Sequence, residues 1–312
     1  MERNVMIMMI VGGLVNVGMV LAIAPFFQGV LRKVTARVQS RQGPPLNQPY
    51  LDLLKLLGKE DIESGEAPIL QRFAAYLPLA VLLVIACLIP MGFPAPLSGA
   101  GDAILLIMLL TLCGICTLLA GLASGSTYSV IGINREMMTM ITLEPLFAVA
   151  IVMGVIHKGS FKLEDVLSGS VYGTAGTAGI AISGVIMLVI MLLSFQAFVG
   201  RVPFDIAEAE TEIMEGAMIE YSGPKLALFH YASWAKLVIY SGLFVSLFVP
   251  WGSELPGFIS FVLFWAKVSV MVLLVTLVAA THARYRIDQA IRFFAIMLVV
   301  SLLTLAAASC GF

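Results

Sequence analysis

Long apolar runs constrain this chain before any other feature does. Eight stretches, roughly 5–30, 74–94, 102–124, 136–157, 176–200, 226–250, 258–282 and 291–310, are apolar and long enough to read as spans, since a bilayer core takes about 20 such residues per helix. Backbone in lipid must satisfy its own hydrogen bonds. The fold class expected is therefore all-α: a polytopic membrane protein with about eight transmembrane helices plus an amphipathic cytoplasmic helix. The chain is 60% hydrophobic and 12% charged, against about 25% charged in a soluble domain. No stretch resembles a separate soluble domain, so residues 1–312 read as one integral membrane domain. The first apolar run is too long for a signal-peptide core and lacks its small-residue cleavage pattern, so it reads as a retained span. The net charge of −1 does not suggest nucleic acid as a partner.

Lysine and arginine orient the spans. The loops at about 31–73, 125–135, 201–225 and 283–290 include Arg32, Lys33, Arg37, Arg41, Lys55, Lys59, Arg72, Arg135, Arg201, Lys225, Arg284 and Arg286, whereas the opposite face holds only Arg3, Lys158 and Lys162. By the positive-inside rule the first set is cytoplasmic. A multi-pass protein of the cell membrane with both termini outside is expected. In the first loop, Gln42-Gly43-Pro44-Pro45 reads as a turn. After it, Tyr50, Leu53, Leu54 and Leu57 form an apolar helix face and Asp52, Lys55 and Lys59 a polar one. Such a helix lies on the headgroups or walls a cavity or docking surface.

The most unusual stretch is 201–223, RVPFDIAEAETEIMEGAMIEYSG. If it is helical, Asp205, Glu208, Glu212 and Glu215, spaced three, four and three apart, share one face. Glu210 leaves that stripe and Glu220 follows it. The segment is either an acidic surface helix or a carboxylate array held partly out of water. Three ionisable residues also fall inside spans: Glu144, which precedes Pro145, and Lys236 and Lys267. A charge at that depth costs about 3 kcal/mol even on lenient scales, so it should face the interior and find a partner. At least one of the two lysines is expected beside Glu144, as a structural pair or as a proton or ion relay. Pro145 frees a backbone carbonyl nearby. The turn containing Arg284, Arg286, Asp288 and Arg292 is either a headgroup anchor or a docking site. Cys113-Gly-Ile-Cys116 has no second pair, and His157, His230 and His282 have no ligand partners at metal spacing, so no metal or redox centre is expected in the chain. The glycines at 173, 176 and 179 suggest close helix packing.

Taken together, the turn followed by QPYLDLLKLLGKE, the block RVPFDIAEAE ending in EYSG, and the late ARYRIDQ resemble subunit 1 of respiratory complex I and its counterparts in energy-converting [NiFe] hydrogenases. The resemblance runs from about residue 30 to 292. It implies strongly tilted helices joining a hydrophilic redox arm to antiporter-like membrane subunits. It hands a proton or ion relay to Glu144, Asp205, Glu208, Glu210, Glu212, Glu215 and Glu220, with Lys236 and Lys267 as the intramembrane cations. It places Arg37, Arg41, Gly43, Pro44, Asp52, Lys55, Lys59 and Glu60 toward the redox arm, and Arg135, Glu136, Arg201, Arg284, Arg286 and Asp288 on the same face. The segment IGINREMMTMITLEP is more similar to the hydrogenase branch, with [NiFe]-hydrogenase-like large and small subunits as partners. Those partners would carry the NiFe centre and iron–sulfur clusters. Two alternatives stay open: a quinone-chamber subunit of an NADH dehydrogenase-like complex, and the equivalent subunit of a membrane-bound sulfane-sulfur reductase. A stand-alone transporter would show an inverted repeat, which this chain lacks.

Overall fold

The computed structural model describes residues 2–62, 67–97, 99, 101–168, 170–172, 181–214, 216–252 and 257–310, with backbone alone for 2–8, 68, 170, 210 and 211. Its helices are α1 (Glu2–Val38), α2 (Gln48–Leu57), α3 (Pro68–Leu88), α4 (Ala103–Ala123), α5 (Thr127–Lys158), the single turn α6 (Leu163–Val166), α7 (Ile182–Phe198), the single turn α8 (Glu210–Ile213), α9 (Gly223–Phe248), α10 (Gly257–Thr281) and α11 (Ile287–Ser309). Among the described residues there is no strand, only an isolated bridge between Asp102 and Lys162. Among the described residues, seven helices are long and apolar enough to cross a membrane: α1, α3, α4, α5, α9, α10 and α11. The eighth expected span, 176–200, is represented by α7, whose 17 residues cover about 25 Å, short of a ~30 Å hydrocarbon core. The glycines at 173, 176 and 179 lie outside the described residues.

α9 is the axis of the bundle. It packs against α1, α3 and α10, and Leu237, Ile239, Leu243, Leu247 and Phe248 along it are completely buried. Proline marks its entry, with Pro224 in the first turn, where the missing N–H costs nothing. α1 needs more support because it runs through Pro25. A mid-helix proline leaves the carbonyl four residues earlier without its donor. That carbonyl, of Leu21, accepts the hydroxyl of Tyr231 from α9, and the next one, of Ala22, accepts the hydroxyl of Tyr50 from α2. Arg32 then clamps α2 through Asp52 at 2.7 Å. α2 accordingly turns Pro49, Asp52, Leu53 and Leu56 inward and leaves Leu51, Leu54 and Leu57 exposed.

The four basic loops meet on one face of the bundle. Lys225, almost fully buried, pairs with Asp61 at 3.1 Å. Arg135 pairs with Glu212 at 2.6 Å and Arg284 with Asp205 at 3.0 Å. Arg201 donates to Gln28 at 2.9 Å. On the opposite face the chain between α5 and α6 returns to α4, with Ala103 N–H donating to Phe161 at 2.9 Å and Leu163 N–H to Gly101 at 3.1 Å.

Gly132 of α5 allows a close backbone approach beneath the charged loops. A Cβ added there would stand 2.9 Å from the Gly216 Cα and 3.2 Å from the Ala217 nitrogen, both rigid backbone atoms. Gly132→Ala should therefore destabilise the chain by about 1–3 kcal/mol, as overpacking does. Gly18→Ala, which meets nothing within 4 Å, should be neutral or slightly stabilising. Thermal unfolding in detergent measures both, and equal midpoints would refute this packing of α5.

Candidate functional site

A cavity of about 120 Å³ lies under the charged loops, with room for several waters. Three helices form most of its wall with residues at helical spacing: Gly132, Glu136, Thr139, Met140, Leu143 and Glu144 from α5; Leu110, Cys113, Gly114 and Thr117 from α4; Phe229, Ala232, Ser233, Lys236 and Tyr240 from α9; α3 adds Pro78 and Leu82, and α11 adds Phe294. Positions three and four apart share a helix face, so each helix turns one stripe inward. The segment 197–208 and Ala217-Met218 roof it. Four carboxylates (Glu136, Glu144, Asp205, Glu208) and one ammonium, Lys236, thus line a single space.

The stretch 201–223 is not the helix that its carboxylate spacing suggested. Pro203 interrupts it, and Gly200, Met214 and Gly216 adopt left-handed conformations with φ of 66, 50 and 53°, which an α-helix cannot contain. Regular structure shrinks to α8 and the 3₁₀ turn Gly216–Met218. The carboxylates consequently part. Asp205 and Glu208 line the cavity, Glu212 pairs with Arg135 on the exposed surface, and Glu220 is exposed. Glu215 and the side chain of Glu210 lie outside the described residues.

Neighbouring elements hold this irregular segment in place. The Gln196 amide donates to the Val202 carbonyl at 3.0 Å and the Val275 carbonyl at 2.8 Å. The Tyr285 N–H donates to the Pro203 carbonyl at 2.9 Å. Phe204 packs against Tyr285, Phe293 and Phe294 with ring centroids 5.3, 5.6 and 4.8 Å away. At the far end the Tyr221 hydroxyl donates to the Ala120 carbonyl at 2.8 Å.

Glu208 lines the cavity and its side chain is exposed, yet the protein crowded around the carboxyl desolvates it. That desolvation pushes the carboxyl up to about 7; Asp205 and Glu136 reinforce the shift, and Arg201 and Lys236 oppose it. Glu212 behaves oppositely: the hydrogen bond from Arg135 holds it below the usual carboxylate range. Two residues of one acidic stretch therefore carry different protonation near neutral pH, set by environment.

Glu144 lies at the membrane end of the cavity and also lines a second, smaller void with Thr111, Phe147, Phe198 and Tyr240. Gly114 makes room for it, since a Cβ there would meet a Glu144 carboxylate oxygen at 2.9 Å and the Met140 side chain at 2.4 Å. Lys236 faces the same cavity with its ammonium 5.6 Å from the centroid of the Tyr240 ring, within cation–π range. Lys267 does not approach Glu144. It donates to the Val249 carbonyl at 2.7 Å and to the Trp251 carbonyl, in a separate cavity. Equal depth along two helices did not place the two lysines together, because α9 ends level with the middle of α10.

The residues expected on the outer interface also divide. Arg37, Arg41, Gly43 and Pro44 line a shallow surface groove. Asp52, Lys55 and Lys59 line another with Arg32, His230 and Trp234. Glu60 is exposed with its backbone against Gly223, and Arg286 and Asp288 are exposed at the start of α11. Arg135, Arg201 and Arg284 point into the loop assembly. Glu136 belongs to the cavity. Its position eight residues before Glu144, hence on the same helix face, is the signal that could have shown this. Among the described residues no group of His, Cys, Asp and Glu could hold a metal ion.

Fold and site together define a polytopic helical membrane protein with a carboxylate-lined cavity beneath a face of paired charges. The chain belongs to the NADH dehydrogenase family, which its residues 10–309 match. It is 32% identical over 249 residues to hydrogenase-4 component C of Escherichia coli (strain K12), covering 78% of this chain and 76% of the relative. Formate hydrogenlyase subunit 4 of the same organism is 30% identical over 297 residues, with 90% and 95% covered. An NADH-quinone oxidoreductase subunit of Burkholderia vietnamiensis (strain G4 / LMG 22486) is 33% identical over 267 residues, with 81% and 75% covered. Among solved structures, a chain of the membrane-bound sulfane sulfur reductase, an archaeal respiratory membrane complex, superposes with a TM-score of 0.82 at 25% identity over 95% of this chain and 99% of that one. The family resemblance read from the three sequence blocks agrees with these matches.

A carboxyl raised from 4.5 to about 7 binds a proton in the folded chain that the unfolded chain has released. Stability should therefore fall as pH rises from about 4.5 to 7 through this group. Glu208→Gln should remove that slope, so the variant gains on the parent across the window and holds its advantage above it. An infrared band of a protonated carboxyl, titrating near pH 7 in the parent and absent in the variant, checks the assignment directly.

Proposed function

We propose that this chain is the membrane subunit that anchors a soluble redox arm and couples its electron transfer to H⁺ or Na⁺ translocation in a membrane-bound hydrogenase complex. One observation carries the reading: a single cavity leads from the charged loop face to Glu144, and carboxylates with Lys236 line it along the way. Electron transfer in a docked arm would change charge or loop geometry beside Asp205 and Glu208. A proton gained or lost by Glu208 would change the charge facing the rest of the cavity. Glu208, poised near neutrality, is the member most responsive to such a change.

The names of the relatives support the assembly. Hydrogenase-4 component C and formate hydrogenlyase subunit 4 are by name parts of hydrogenase and hydrogenlyase assemblies, which supports [NiFe]-hydrogenase-like large and small subunits as the partners proposed for the loop face; that face would be cytoplasmic, with both termini outside. Antiporter-like subunits would adjoin within the bilayer. The NiFe centre and iron–sulfur clusters would belong to those partners, with no cofactor in this chain. The structural similarity to a sulfane sulfur reductase chain favours one second reading, the equivalent subunit of such a reductase, with the same coupling role.

Inverted membrane vesicles test the coupling. Glu144→Gln and Glu208→Gln should leave the complex assembled and its electron transfer measurable, while redox-driven ion uptake falls about tenfold or more, as when an acid–base group is lost. Glu212→Gln, on the exposed surface, should pump at close to the parent rate. Parent-level uptake in both cavity variants would refute the proposal.

A further inference from the structure

A second cavity opens on the face opposite the charged loops. It measures about 410 Å³, within the 300–1,000 Å³ of small-molecule sites. The ends of α3 and α9, the first half of α10 and the segment around α6 wall it. Most of the wall is apolar, with Phe93, Pro94, Leu263 and Phe264 prominent. Among the described residues, two charged side chains stand in it, Lys267 and Glu164.

The Lys267 ammonium donates to the carbonyls of Val249 and Trp251, where α9 ends. An ammonium has three donors, so one remains for a ligand. Among the described residues, Lys267 and Glu164 form no ion pair with each other or with any other group. The cavity thus offers a cation and an anion held apart, beside an apolar wall. Phe93, Trp251 and Phe258 around it are exposed, and Trp251 is of the type that settles at headgroup depth.

From this charge pattern we propose that the cavity seats a zwitterionic phospholipid headgroup, its phosphate on Lys267 and its ammonium on Glu164, with an acyl chain along the apolar wall. A purely anionic headgroup would satisfy Lys267 but meet repulsion from Glu164. A soluble phosphate ester would leave the apolar wall wet. The site is separate from the carboxylate cavity, so it stands or falls independently of the coupling role.

The test uses the full-length chain in nanodiscs of equimolar phosphatidylethanolamine and phosphatidylglycerol. Lipids retained after a mild detergent wash are counted by mass spectrometry. The parent should retain phosphatidylethanolamine over phosphatidylglycerol by about tenfold, the ratio worth one hydrogen bond to a charged group. Glu164→Gln, at an exposed position, should keep the fold and bring the two lipids to parity. Added O-phosphoethanolamine should displace neither. The proposal is overturned if the parent retains both lipids equally, if Glu164→Gln keeps the preference, or if the free headgroup competes the lipid away.

Discussion

The cavity exists because an irregular stretch of chain is fastened over three helices. Irregular backbone near a bilayer is tolerated only where protein or cavity water satisfies its polar groups. Donors from elsewhere in the chain hold the described part of this segment: Gln196 and Tyr285 to the Val202 and Pro203 carbonyls, Arg284 to Asp205 and Arg135 to Glu212. Three of the four basic loops are thereby joined at one place. The fourth joins through Asp61 and Lys225. The roof over the carboxylates and the charged loop face are thus one structure.

Within the cavity, environment distributes the chemistry. Glu212 and Glu208 are four residues apart, yet an arginine holds one carboxyl low while desolvation by the surrounding protein holds the other near neutrality. Glu136 and Glu144 extend the line along a single face of α5, and Lys236 brings the balancing positive charge from α9. Small residues make the arrangement sterically feasible. Gly114 leaves space for the Glu144 carboxylate, and Gly132 lets the 216–217 turn settle onto α5.

Much of this was legible in the residues. Apolar runs identified the spans because lipid imposes a length and a composition on each helix. Glu144 and Lys236 stood out because charge in an apolar run is costly. The rest failed for identifiable reasons. Carboxylate spacing predicts a shared face only if the backbone is helical, and Pro203 with three left-handed residues removes that premise. Glu136 looked like an outer residue because the fourth apolar run starts there, whereas α5 begins at Thr127. Lys267 matched Lys236 in position along its helix, but vertical offsets between helices cannot be read from one helix at a time. Gly114 was hidden within a cysteine pair that drew attention to the sulfurs, which are free.

α9 has a consequence for how the chain is made. Its mean hydropathy, 1.3, is the lowest of the seven candidate spans, and 83% of its most apolar window is buried. It also carries Lys225, His230 and Lys236. A segment of that kind partitions poorly into lipid on its own. Its neighbours α1 and α3 precede it in the chain, and α1 already offers the Leu21 carbonyl that Tyr231 will occupy. Synthesis from the N-terminus therefore prepares a receiving surface before the least lipid-soluble helix leaves the ribosome. The axis of the finished bundle is inserted as a guest of helices already in place.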